Sequence, residues 1–214
     1  RGRIESIMAL NLKGGIALKQ YRNSILKELV RKSIHMCSSF VPFFLGIAYE
    51  PVIVLLCALL VFYCVSELLR LKGVELPVVA KITAVAARKR DENKFVLGPV
   101  TLVIGIVMSA LLWNLPAASI GIYALAFGDG LASLCGKLFG RIYIPFTHGK
   151  TAAGSLTCFF AVFVSSFCVC RNAAVSFFLA LAAMIIEVIP MADLDNVFIP
   201  VVIGALAQFF QGCI

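Results

Sequence analysis

Seven apolar segments follow one another along this chain, at roughly 34–49, 52–69, 97–113, 116–127, 155–170, 173–189 and 197–210, with short polar stretches between them. No other feature restricts the fold so strongly. Hydrophobic residues make up 61% of the sequence, where soluble domains hold about 45–50%. A soluble core of 214 residues has no room for so much apolar surface, and a bilayer does. Inside lipid each segment must satisfy its own backbone N–H and C=O groups, which selects helices. The expected fold is therefore all-α, a polytopic integral membrane helical bundle of about seven transmembrane helices. Several segments are shorter than the ~20 residues of a full crossing. The fourth is expected to continue as helix towards Gly140, and six spans with one re-entrant segment is the alternative.

Charge sets the orientation. With seven alternating crossings, 18 of the 19 Lys and Arg fall on one side and only Arg171 on the other. The positive-inside rule makes the rich side the cytosol, with the N-terminus there. The acids follow, since only Glu50 lies outside. Residues 1–27 then form a cytosolic basic segment without the apolar core of a secretory signal, and 28–214 form a single transmembrane catalytic domain. The net charge of +8 belongs to the membrane flanks, so no nucleic-acid partner is implied. The eight cysteines contain no Cys-x-x-Cys pair and read as small buried hydrophobes. No internal repeat suggests a transporter. The expected location is a bacterial inner membrane, or an endomembrane in a eukaryote, with the site facing the cytosol.

Polar residues beside membrane helices are costly, and they are the candidates for function. Glu28, Arg31, Lys32 and His35 share one helical face at the entry to the first span. Arg31 and Lys32 alone would read as headgroup anchors, but His35 lies one turn deeper. Glu67 and Arg70 form an i, i+3 pair, either simple helix-surface electrostatics or a structural tie near the site. The run from Arg88 to Lys94 reads as solvated charge. Gly128, Ala132, Gly136 and Gly140 make a small-residue stripe suited to close helix packing, with Asp129 within about 40° of it. A nucleotide carrying a divalent metal would use both features: room beside the small residues and a carboxylate for the ion. Lys137, Arg141, His148 and Lys150 follow as cations for a polyphosphate. Gly149-Lys150-Thr151 ends like a P-loop, but the required first glycine is Ile144, so that motif fails. What remains is an anion site at a helix start near Ala152. Glu187, Asp193, Asp195 and Asn196, between proline-broken spans, are hard-oxygen ligands suited to Mg²⁺, with Asp195 or Asn196 as a helix cap in the simpler reading.

The ordered set resembles a known family. Asp129-x-x-Ala132-x-x-x-Gly136-x-x-x-Gly140, followed by Lys150-Thr151-x-x-Gly154-Ser155, is similar to the CTP-binding signature of the dolichol kinase, phytol kinase and CTP-dependent diacylglycerol kinase family. Glu28-x-x-Arg31-Lys32-x-x-His35, Glu67-x-x-Arg70, Gly98-Pro99, Glu187 and Asp195-Asn196 with Pro200 extend the resemblance over nearly all of 28–210. It departs at Ala153, where the family pattern is acidic, and at Gly149, the first of its paired lysines. The resemblance implies CTP-dependent phosphorylation of a membrane lipid alcohol, with CTP, the alcohol and membrane lipids as partners and Mg²⁺ as cofactor. Oligomeric state is left open. Asp129, His35 and Lys150 are the expected catalytic residues. Arg31, Lys32, Gly136, Lys137, Gly140, Gly149, Lys150, Thr151 and Gly154 are expected to bind nucleotide, and Asp129, Glu187, Asp193, Asp195 and Asn196 to bind metal. The alternatives are phosphatidate cytidylyltransferase activity, whose signature His148-Gly149 and Asp193-x-Asp195 echo faintly, and a non-enzymatic transporter.

Overall fold

The computed structural model describes residues 22, 25–74, 83, 94–147 and 149–211. Among the described residues helices dominate, and the β-structure is one bridge between Tyr143 and Thr151. Helix α1 covers 25–37 and runs through a 3₁₀ turn, Ser38–Phe40, into α2, Val41–Ile47. Then come α3 (Tyr49–Leu71), α4 (Gly98–Leu112) and α5 (Leu115–Tyr123). A π-helical segment, Ala124–Asp129, joins α5 to α6 (Gly130–Phe139), and α7 (Ala152–Cys170), α8 (Ala173–Val188) and α9 (Asp195–Gln211) complete the bundle.

Among the described residues, three stretches are long and apolar enough to cross a membrane: Tyr49–Leu71, Leu115–Phe139 and Ala152–Cys170. Shorter apolar helices occupy Gly98–Leu112, Ala173–Val188 and Asp195–Phe210. The fourth expected segment does continue as helix, to Phe139. The first is not one continuous α-helix. Pro42 has no N–H to give to the Ser38 carbonyl, so Val41 N–H bonds there instead and tightens the turn to 3₁₀.

The Leu115–Phe139 stretch is the centre of the molecule, two-thirds of its apolar window being buried. Ile120, Ile122 and Leu125 are closed off from solvent, packed with Val162 of α7, Leu179 of α8, and Ile199 and Ile203 of α9. Close approach sets this packing: a Cβ on Gly121 would stand 2.2 Å from the Pro200 carbonyl oxygen. Polar ties reinforce it, with Ser109 Oγ donating to Pro200 O at 3.2 Å and Trp113 Nε1 to Val201 O at 3.0 Å.

Glu67 is fully buried. Its carboxylate takes a bidentate grip from Arg70, at 2.7 and 2.9 Å, and accepts the Val96 N–H at 2.9 Å, while Arg70 also donates to Lys94 O at 2.8 Å. The pair is thus a structural pin on the segment entering α4, not a surface pair. The basic run Arg88–Lys94, apart from Lys94, and His148 lie outside the described residues.

Gly121→Val should force α5 and α9 apart and lower stability by about 1–3 kcal/mol, read as a drop in the thermal midpoint of the detergent-solubilised protein.

Candidate functional site

Several helices and two connecting segments meet around a cleft of about 480 Å³. Helix α1 brings Glu28, Arg31 and Lys32; the π-segment and α6 bring Asp129 and Lys137; the loop before α7 brings Gly149, Lys150 and Thr151. Glu187 at the end of α8, the Ile189–Ala192 turn and Asp195 at the start of α9 close the far wall.

Two ion pairs, one buried and one part-buried, organise the cleft. Lys32 and Asp129, 97 residues apart in sequence, form a direct salt bridge with both side chains almost fully enclosed. His35 Nδ1 stands 3.5 Å from the same Asp129 oxygen. Lys150 Nζ donates to Glu187 Oε1 at 2.6 Å, and Ser155 Oγ holds the other oxygen at 3.2 Å. At the rim Glu28 pairs with Arg31 on its own helix and accepts Lys137 Nζ at 2.7 Å from α6. Among the described residues, four cations and four acids (Glu28, Asp129, Glu187 and Asp195) therefore line one cleft.

The electrostatics follow from those partners. Burial raises the Glu28 pKa, but Arg31 and Lys137 outweigh it and hold the carboxyl below its usual value. A depressed carboxyl contributes its stabilisation above the unfolded value and loses it as pH falls through the folded one. The link from α1 to α6 therefore persists through the neutral range and fails only in acid. Burial lowers the Lys150 pKa, yet the Glu187 charge and hydrogen bond, with Asp129 and Asp195 nearby, raise it above the ordinary lysine value. Its ammonium contribution is complete below that ordinary value and is lost only as pH rises through the higher folded one.

The small-residue stripe works mainly as a packing seam. A Cβ on Gly154 would stand 2.8 Å from Ala132 O and 3.5 Å from Gly136 Cα, so α6 and α7 cross at backbone contact. Thr151 caps α7, its Oγ1 accepting Gly154 N–H at 3.2 Å. Ala132, Gly136, Thr151 and Gly154 also present an edge to the cleft, whereas Gly140 packs against Thr151 outside its lining.

Asp129, Arg31, Lys32, Gly136, Lys137, Gly149, Lys150, Thr151, Gly154, Glu187 and Asp195 thus come together as the sequence suggests. His35 lies behind Asp129 and touches it. Asn196 turns away, its amide donating to Gly98 O at 3.3 Å and Thr101 Oγ1 at 3.0 Å, and Asp193 is outside the cleft lining. Among the described residues, no group of three or more His, Cys, Asp or Glu side chains is arranged to hold a metal ion. Sequence reasoning missed the Glu28–Lys137 bridge and the wall from Ile189 to Ala192; only Pro190 hinted at the latter.

The chain is similar to chloroplastic phytol kinases. It is 26% identical over 158 residues to a probable phytol kinase 1 of Oryza sativa subsp. japonica, a match covering 65% of this chain and 50% of that one. It is 27% identical over 154 residues to phytol kinase 1 of Arabidopsis thaliana, covering 67% and 49%. An uncharacterized protein of Methanocaldococcus jannaschii is 25% identical over 186 residues, covering 84% and 92%. The chain spans about half the length of the curated phytol kinases it matches. No family model matches the chain, and neither does any solved structure. The likeness supports the lipid kinase family that the motifs resemble.

A cycle of Glu28→Gln, Lys137→Gln and the double variant should give a coupling of about 0.5–1 kcal/mol, small because Lys137 is 40% exposed. Hydrogen exchange at 25–37 should quicken in each single variant.

Proposed function

We propose that the chain transfers the γ-phosphoryl group of CTP to a membrane lipid alcohol, in a bundle of about seven spans whose cleft faces the cytosol. The observation that carries this reading is the double pairing Lys32–Asp129 and Lys150–Glu187 within one cleft beside apolar helices. A nucleotide–metal complex brings polyanion and cation together, and each half has its counterpart here. Lys32 and Lys150 would exchange carboxylate for phosphate oxygen, with Lys137 and Arg31 at the rim. The freed carboxylates would turn to the metal.

The donor set fits Mg²⁺, which keeps several waters and takes one or two protein carboxylates plus nucleotide phosphates, not a full protein cage. Asp129 and Asp195 would hold it, with Glu187 in reach of the same cleft. Bound there, the ion would neutralise charge on the phosphates. The alcohol oxygen forms the new bond to the γ-phosphorus, the bond from that phosphorus to the β–γ bridging oxygen breaks, and CDP leaves. His35, held against Asp129, or a carboxylate of the cleft would take the hydroxyl proton. The likeness to phytol kinases favours an isoprenoid alcohol among the acceptors.

Purified protein with CTP labelled at the α or the γ position, and with phytol, polyprenol, diacylglycerol and phosphatidate, should place only γ label on an alcohol. Label from the α position on phosphatidate would replace this reading with CDP-lipid synthesis. Asp129→Asn should lower kcat by roughly two orders of magnitude or more, with a normal gel-filtration profile; near-normal turnover removes Asp129 from the mechanism.

A further inference from the structure

Glu187 is gripped at both carboxylate oxygens from the start of α7. Lys150 Nζ donates to Oε1 at 2.6 Å and Ser155 Oγ to Oε2 at 3.2 Å. The acid is buried in the last turn of α8, where the free carbonyls of a helix end repel negative charge, so it needs its donors. The two grips differ in kind. Lys150 lines the cleft and Ser155 does not, so a ligand in the cleft meets the lysine and not the serine.

The Ser155 hydroxyl is also directed differently from its helical counterparts. Ser33, Ser66, Ser119 and Thr157 return theirs to the carbonyl four residues back, the nearest partner a helix offers. Ser155 donates instead to a side chain of another helix, 32 residues on. Its mount is rigid. Ser155 N–H donates to Thr151 O at 3.0 Å, Thr151 Oγ1 caps the turn by accepting the Gly154 N–H at 3.2 Å, and Gly154 is pressed against Ala132 O of α6. Lys150 lies ahead of that cap, beside Gly149 at φ +99°, on a flexible four-carbon stem with 28% of its side chain exposed. One grip can swing and the other is fixed.

We propose that Ser155 is a positioning residue for Glu187: its hydroxyl holds Oε2 back so that Oε1 still faces the cleft after Lys150 has turned to a nucleotide phosphate. The proposal rests on the nucleotide reading of the cleft, in which Lys150 exchanges carboxylate for phosphate oxygen. Oε1 is then presented to the cation that accompanies the nucleotide, in a fixed orientation. Without the hydroxyl the carboxylate rotates freely once the ammonium leaves, and the cation finds one ligand fewer in place.

The test uses the full chain in nanodiscs with the β,γ-methylene analogue of CTP, and follows Mn²⁺ binding by electron paramagnetic resonance, a readout that needs no turnover. Ser155→Ala should weaken Mn²⁺ binding about tenfold, and Ser155→Thr, which keeps the hydroxyl, should restore most of it. Ser155→Cys fills the space but donates weakly, and should match Ser155→Ala. In a Glu187→Ala background, Ser155→Ala should add nothing. In kinetics, Ser155→Ala should raise the Mg²⁺ concentration for half-maximal rate by a similar factor, with KM for the alcohol within about twofold. Repair by cysteine, or an equal further loss on top of Glu187→Ala, would assign Ser155 to packing and overturn the proposal. Unchanged Mn²⁺ affinity in Ser155→Ala overturns it too, and with γ-phosphoryl transfer intact the kinase stands. Nucleotide-dependent Mn²⁺ binding that Ser155→Ala weakens, with no label reaching any alcohol, sinks the kinase and keeps the role of Ser155. A wild-type chain that binds no nucleotide overturns both.

Discussion

The buried pairing of Lys32 with Asp129 is the interaction on which the rest of this arrangement depends. Two charges withdrawn from water cost several kcal/mol each unless they find one another, and removing either partner strands the other. Here one partner comes from the entry helix α1 and the other from the central stretch, so the pair fixes where α1 can sit. Once α1 is seated, Glu28 falls opposite Lys137 and His35 opposite Asp129, because all three lie on one face of the same helix. The polar cleft exists because that face has been turned inward.

The π-helical segment supplies the matching half. Ala124–Asp129 interrupts an otherwise regular helix and changes its phase just before the carboxylate. Wider turns of this kind recur at functional sites, where they re-aim a side chain without ending the helix. Beyond it, α6 directs Ala132 and Gly136 to α7, whose start carries Lys150 and Thr151 into the cleft. Lys150 is in turn fastened to Glu187 across the bundle. The cleft is therefore closed by reciprocal charges. In the proposed reading such a site receives a partner that is itself both anionic and cationic.

The sequence by itself determined the helical class, the extension of the fourth segment towards Gly140, and the membership of most of the cleft. Apolar runs and the isolation of polar residues within them are local properties, legible without coordinates, and so is the shared face of Glu28, Lys32 and His35. Tertiary structure alone decided which charge meets which. Lys32 with Asp129, Lys137 with Glu28 and Lys150 with Glu187 join positions 97, 109 and 37 residues apart, and no helical period encodes those distances. It also sent Asn196 to Thr101, turned Glu67 into a pin on Val96, and made the glycine stripe a packing seam first and a cleft edge second. The physical reason is common to all of these: composition dictates that a buried polar group must have a partner, but only the packing of helices brings one particular partner within hydrogen-bond reach.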